Sequence, residues 1–164
     1  MSVVLIAALG RRREIGNDGV MPWHLPADLK HFQRTTRGHV LVMGRRTFEA
    51  TGLLPGRPTV VVTGRPGFVA PGATVAPTVA AAIELGRGLP GGDEIYLCGG
   101  SAVYREGLEL GDEMNLTWID GEFPADTFFP EFDPAVWREV ASEEHPADAA
   151  NAYALRFARY RRVR

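Results

Sequence analysis

One carboxylate in this chain stands in unusual company. Asp28 closes the run Met21-Pro22-Trp23-His24-Leu25-Pro26-Ala27-Asp28, where two prolines and a tryptophan precede a helical pattern over 27–36. In a first helical turn Asp28 shares a side with Leu29 and Phe32, so it can face an apolar pocket and orient a polar ligand edge there. An acidic residue at a helix start is also stabilised by the helix dipole alone, and the local sequence leaves both readings open.

Three further stretches carry groups suited to anions, each directly after a run of β-type residues. Gly44-Arg45-Arg46-Thr47 puts two guanidinium groups and a hydroxyl at a helix start, where free backbone N–H groups favour negative charge. Gly99-Gly100-Ser101-Ala102-Val103-Tyr104 sets a glycine pair, which a ligand can approach closely, before another helix start. Thr63-Gly64-Arg65 adds a basic group of the kind a ribose 2′-phosphate requires. Ligands of open α/β sheets bind outside the carboxyl ends of the strands, so the three junctions together suggest a phosphorylated dinucleotide. The G-x-G-x-x-G fingerprint is absent, so the phosphates would be held by scattered strand ends.

The elements that must position these groups are legible as alternating patterns. Apolar runs at Val3 to Leu9, Val40 to Met43, Thr59 to Thr63 and Glu94 to Cys98 predict strands buried on both faces. Helical patterns over Ala27 to Thr36, Arg45 to Thr51, Thr78 to Gly86 and Ser101 to Leu108 lie between or after them. The alternation predicts an α/β fold with a mostly parallel twisted sheet flanked by about four helices. Runs at Glu113 to Ile119, Trp137 to Ser142 and Tyr153 to Tyr160, with little helix between, predict an antiparallel C-terminal edge. The first connection, about 10–26, is long and structureless and carries Gly16-Asn17-Asp18-Gly19; it reads as a mobile lid or as a solvated loop.

Composition removes several classes of function. The 164 residues form one expected domain, 1–164, and the net charge of -2 gives no footprint for nucleic acid or an anionic membrane. Lys30 is the only lysine, and arginine clusters such as Arg11-Arg12-Arg13 read as solvated charge. Cys98 is the only cysteine, so no internal disulfide forms, and a cytoplasmic setting is expected. His24, His31, His39 and His145 lack metal-ligand spacing and read as surface or satisfied core histidines; no metal is expected. Neither a G-x-S-x-G elbow nor a Walker lysine motif is present.

Taken together, the segments Ile15 to Asp28, Met43-Gly44-Arg45-Arg46-Thr47-Phe48-Glu49, Leu54-Pro55-Gly56-Arg57, Cys98-Gly99-Gly100, Leu116-Thr117-Trp118-Ile119-Asp120 and Asp126-Thr127-Phe128-Phe129-Pro130 resemble the dihydrofolate reductases. The likeness runs almost end to end, and an aspartate at position 28 resembles the bacterial enzymes. It implies NADPH-dependent reduction of 7,8-dihydrofolate to tetrahydrofolate, which supports one-carbon metabolism and thymidylate synthesis. By this resemblance Asp28 would orient the pterin through N3 and the 2-amino group, Thr117 would steady Asp28, Trp23 would hold a water, and Met21 would belong to the lid. Ile6, Ala7, Leu29, Phe32, Thr51 and Leu54 would line the substrate cleft, and Arg57 would pair with the glutamate tail.

For NADPH, the resemblance implies Ala8, Ile15 and Gly16 around the nicotinamide. It places Arg45 and Arg65, with Thr63 and Gly64, at the 2′-phosphate. Gly44, Arg46, Thr47, Gly99, Gly100 and Ser101 would lie near the pyrophosphate, with Cys98, Ala102, Val103 and Tyr104 completing the wall. The adenosine-binding portion would cover about 39–90, and a monomer is expected. Thr51-Gly52-Leu53-Leu54 is one residue shorter than in many relatives, and Arg46 stands where histidine is common. Two other readings stay open: the related pyrimidine reductase of riboflavin synthesis, and a non-catalytic folate- or nucleotide-binding module. Retention of Asp28 and Arg57 favours the reductase of folate.

Overall fold

The computed structural model describes residues 2–17 and 21–163; Asp18, Gly19 and Val20, at the centre of the expected lid, lie outside them. In chain order the elements are β1 (Ser2–Leu9), β2 (Glu14–Gly16), α1 (Pro26–Thr36), β3 (Val40–Gly44), α2 (Arg45–Thr51), β4 (Thr59–Val62) and β5 (Thr74–Ala76). They continue with α3 (Val79–Arg87), β6 (Glu94–Leu97), α4 (Ser101–Leu110), β7 (Glu113–Ile119), β8 (Thr127–Phe128), β9 (Trp137–His145) and β10 (Leu155–Arg162).

Eight strands form one sheet in the order β5-β4-β3-β6-β1-β7-β10-β9. Every neighbouring pair from β5 to β7 is parallel, whereas β10 runs antiparallel to both β7 and β9. The expected mostly parallel sheet with an antiparallel C-terminal edge is therefore found. Alternation along the strands explains the layering, because successive side chains point to opposite faces. On β1, Val3, Leu5, Ala7 and Leu9 join Val79, Ala82 and Ile83 of α3 and Val103 of α4 in one core. Val4 and Ile6 join Leu41, Met43 and Tyr96, covered by Phe32 of α1 and Phe48 of α2. The sheet is thus buried on both faces, which is why its strands are almost wholly apolar.

The connection over 10–26 is not structureless. Its first part forms β2, which pairs antiparallel with β8 in a separate two-stranded ladder. Strands of two or three residues carry too little periodicity to be read from sequence, and the partner lies over a hundred residues away. Thr78 is the cap of α3 rather than its first residue, its hydroxyl accepting from Ala81 N at 3.1 Å. Among the described residues no helix is long and apolar enough to cross a membrane.

Candidate active site

Asp28 stands in the first turn of α1, as its spacing predicts, but its side chain is not spent on the helix end. Pro26 opens the helix without a side-chain cap from Leu25. Instead the buried Asn151 reaches in, and its Oδ1 accepts from Ala27 N at 2.9 Å. The Asp28 carboxylate is left to accept from the hydroxyl of Thr117, a buried residue near the carboxyl end of β7. Burial pushes the Asp28 carboxyl above the ordinary aspartate range, opposed by the Thr117 hydrogen bond and by the charge of His31. A recessed carboxylate with so few internal donors is suited to a ligand edge that offers two N–H groups.

The indole Nε1 of Trp23 is buried without a hydrogen-bond partner among the described residues. Its ring packs on Phe123 at a centroid distance of 5.1 Å. Ile6 and Ala7 are buried in β1, and Ala8 packs, like Trp23 and Ala27, against the cluster of Leu25, Ile119, Phe123 and Leu155. Ala8 and Thr117 are register partners, which puts the β1 and β7 contributions side by side. Tyr104 is held against the same strand, its hydroxyl donating to Ile6 O at 2.7 Å in full burial. Burial drives its phenol well above the ordinary range, so it stays neutral.

The three anion-suited junctions meet at one edge of the sheet. Gly44 N donates to Gly99 O at 2.8 Å, so the ends of β3 and β6 are directly joined. Gly99 has φ +105°, and a Cβ there would lie 3.1 Å from the Tyr104 ring, so glycine is needed for conformation and space alike. A Cβ on Gly100 would lie 3.8 Å from Thr47 Oγ1, which brings the α2 hydroxyl to the glycine pair. Ser101 is half-buried at the start of α4, and Ala102 is exposed. Val103 turns inward to the core. Arg46 and Arg65 are exposed, while Arg45 Nη1 lies 2.5 Å from Glu49 Oε1 one turn along α2. Arg65 N donates to Thr63 Oγ1 at 3.1 Å across the open Gly64.

At the other end of the cleft, Arg57 is held in place by three acceptors. Nε donates to Thr36 Oγ1 at 2.9 Å, Nη2 to Gln33 O at 2.7 Å, and Nη1 to Pro55 O. Two acceptors therefore belong to the last turn of α1. A pocket of about 620 Å³ opens here, lined by Leu54 and Arg57 among others and not by Asp28. Phe32 and Leu54 pack on the β1/β3 core, whereas Leu29, at 53% exposure, and Met21, at 60%, face outward. Thr51 ends α2 with its hydroxyl 3.6 Å from Met43 Sδ. Ile15 packs against the main core and Gly16 O accepts from Asp126 N at 3.1 Å. Cys98 packs as a small apolar group against the β1/β3 cluster.

Sequence reading missed Asn151, Glu14, Phe123 and the pair His31–Asn115. Each acts across about 80 residues of chain or more, so no local pattern marks it. Glu14 is a wholly buried carboxylate. Among the described residues no group of three or more His, Cys, Asp or Glu side chains is placed to hold a metal ion.

An open, mostly parallel sheet with a recessed carboxylate and a row of arginine- and glycine-bearing strand ends on one edge defines a cleft enzyme of the α/β class. The chain belongs to the dihydrofolate reductase family, whose model matches residues 2–162. It is 45% identical over 165 residues to the dihydrofolate reductase type 3 of Salmonella typhimurium, covering 100% of both chains. It is 37% identical over 159 residues to the dihydrofolate reductase of Bacillus subtilis, covering 96% of this chain and 93% of that one. The structure of the Enterococcus faecalis dihydrofolate reductase, complexed with NADP(H) and RAB-propyl, superposes with a TM-score of 0.92 at 37% identity. That match covers 99% of this chain and 97% of the other. The family expected from the sequence is thus the one found, and the chain is an oxidoreductase of the bacterial type.

Proposed function

We propose that the chain reduces 7,8-dihydrofolate to 5,6,7,8-tetrahydrofolate at the expense of NADPH. The observation that carries this reading is the Asp28 carboxylate, recessed in the cleft, held by Thr117 and raised in pKa by burial. A pterin presents N3–H and a 2-amino group on one edge, and together they satisfy both oxygens of such a carboxylate. NADPH, when bound, supplies the hydride that adds to pterin C6 as the N5=C6 bond becomes single. The residues present fit that cofactor: Arg46 and Arg65 stand exposed after the carboxyl ends of β3 and β4, Ser101 opens α4, and Thr47 Oγ1 lies beside the Gly99-Gly100 pair, whose backbone carries no side chain.

The remaining step is a proton to N5. Asp28 lies at the opposite edge of the ring from that atom in this pose, so it anchors and polarises the pterin without delivering the proton itself. Trp23 Nε1, buried and without an acceptor among the described residues, is the group that orients a water on this side of the cleft. Arg57 has five N–H groups, three of them bonded to the chain, which leaves one on each terminal nitrogen for the carboxylate of the glutamate tail.

The test is NADPH oxidation followed with and without dihydrofolate, for the native chain and for Asp28→Asn. The native protein turns over only with both. Asp28→Asn keeps its fold and its NADPH affinity and loses most turnover near neutral pH. Wild-type turnover in that variant would overturn the assigned role of the carboxylate.

A further inference from the structure

Two hydrogen bonds join α1 to β7 along one seam. Asp28 accepts from Thr117, and one helical turn further on His31 Nε2 lies 3.0 Å from Asn115 Oδ1. Helix residues three apart share a face, and strand residues two apart share a face, so the two bonds are successive rungs of the same contact. Asn115 is buried at 9% exposure, and its amide oxygen can only accept, so Nε2 of His31 carries a proton. The imidazole is also stacked on Phe157 of β10, with centroids 4.3 Å apart and planes at 26°.

The sheet register ties this ring to the site. Phe157 is the cross-strand partner of Thr117, and Arg159 is the partner of Asn115. His31 therefore rests on the two sheet rows that contain Thr117 and Asn115, one of which supplies the hydrogen bond to Asp28. The proposed reaction uses Asp28, Thr117 and Trp23 and gives His31 no task.

We propose that His31 is a positioning residue of the reductase site: held by Asn115 and Phe157, it locks the first turns of α1 onto β7 so that the Asp28 carboxylate stays seated on Thr117. The inference rests on the reading of Asp28 as the substrate anchor. It has an electrostatic corollary, because positive charge on His31 favours the ionised Asp28 carboxylate one turn away. Other charged groups face the ring as well. Glu143 of β9 and Arg159 of β10 border the same small cavity of about 210 Å³, opposite in sign and offsetting one another there. Arg34 follows one turn later on α1, and β7 contributes the neutral Asn115 at the cavity, with Glu113 two residues before it on the same strand face. Asp28 itself is further faced by the Thr117 hydroxyl and the neutral Tyr104 phenol.

Three variants separate the hold from the charge. His31→Ala removes both, Asn115→Ala removes the acceptor and leaves the imidazole, and His31→Gln keeps an N–H donor toward Asn115 without a titratable charge. The readouts are kcat/KM for dihydrofolate against pH and the titration of the Asp28 carboxyl in the apoenzyme, followed by carbon NMR. His31→Ala and Asn115→Ala each lower kcat/KM at neutral pH roughly tenfold. His31→Gln rescues most of that loss, and it moves the Asp28 titration upward. Wild-type kcat/KM in both alanine variants, or an Asp28 titration unmoved in His31→Gln, overturns the proposal. If His31→Gln fails to fold, His31→Phe, which keeps the stack on Phe157, reads the same titration. Because that titration is measured without substrate, its failure is distinct from failure of the substrate reading, which Asp28→Asn tests.

Discussion

Glu14 Oε2 accepts from the backbone N–H of Phe123 at 2.8 Å, joining the start of the expected lid to the loop after β7. Its other oxygen accepts from Arg12 N at 2.6 Å, and the side chain is wholly buried. Phe123 in turn packs on Trp23, so a carboxylate with no part in the chemistry fixes the wall behind the indole. A Cβ on Gly10 would lie 2.7 Å from this carboxylate, which explains a glycine at the end of β1.

Burial alone would push the Glu14 carboxyl up, but backbone hydrogen bonds, including those from Phe123 and Arg12, and the Arg12 charge bring it below the ordinary range. A group lowered on folding stabilises the fold above its unfolded pKa of about 4.3 and loses that contribution as pH falls through the folded value. Glu14→Gln turns one acceptor into a donor against a backbone N–H, and costs about 1–3 kcal/mol at neutral pH. Denaturant melts from neutral to acid pH check this, with the gap between native and variant closing in acid.

What the sequence made legible is what local period and local chemistry encode. The central strands announce themselves as apolar runs because both faces are covered, and the α1 pattern places Asp28 in its first turn. The partners of that turn do not announce themselves. Asn151 caps Ala27 across 124 residues, and Asn115 meets His31 across 84. His31 has no metal-like spacing, so its sequence context gives only an ordinary histidine, and the role argued for it arises from the pairing of α1 with β7.

Asp28 works at a cost to the fold. Its carboxyl is raised chiefly by burial, so the folded chain holds the proton more tightly than the unfolded one. Stability is therefore full below the unfolded value of about 3.9 and declines as pH rises through the folded value. Asp28→Asn consequently has a higher Tm than the native apoenzyme at neutral pH, and the difference vanishes in acid. Scanning calorimetry of both proteins at several pH values measures it, and an unchanged Tm at neutral pH would contradict the assigned burial penalty.

Cys98 directly follows β6, and burial pushes its thiol up to about 12, against a hydrogen bond involving Val42. The thiolate is the reactive form, so the folded protein reacts with a disulfide reagent on the order of a thousandfold more slowly than the unfolded chain near neutral pH. Stopped-flow labelling in buffer and in denaturant compares the two. Rapid labelling of the native protein would show that the thiol is exposed.

Arg57 offers the sharpest test of the proposed tail subsite, because its hold on α1 and the N–H groups it has left require the same planar fork. Thr36, Gln33 and Pro55 together use Nε and both terminal nitrogens, and no lysine rotamer reproduces three acceptors around one charge. Arg57→Lys therefore keeps the positive charge and loses the bidentate fork. A hydrogen bond to a charged group contributes about 1.5–3 kcal/mol, so KM for dihydrofolate rises roughly tenfold to a hundredfold. The hydride-transfer end of the cleft is untouched, and kcat stays within about twofold. Steady-state kinetics with dihydrofolate and with a pterin lacking the glutamate tail separate the effects, since the tailless substrate has no carboxylate for Arg57 to recognise. Equal losses on both substrates would place Arg57 in the support of α1 alone.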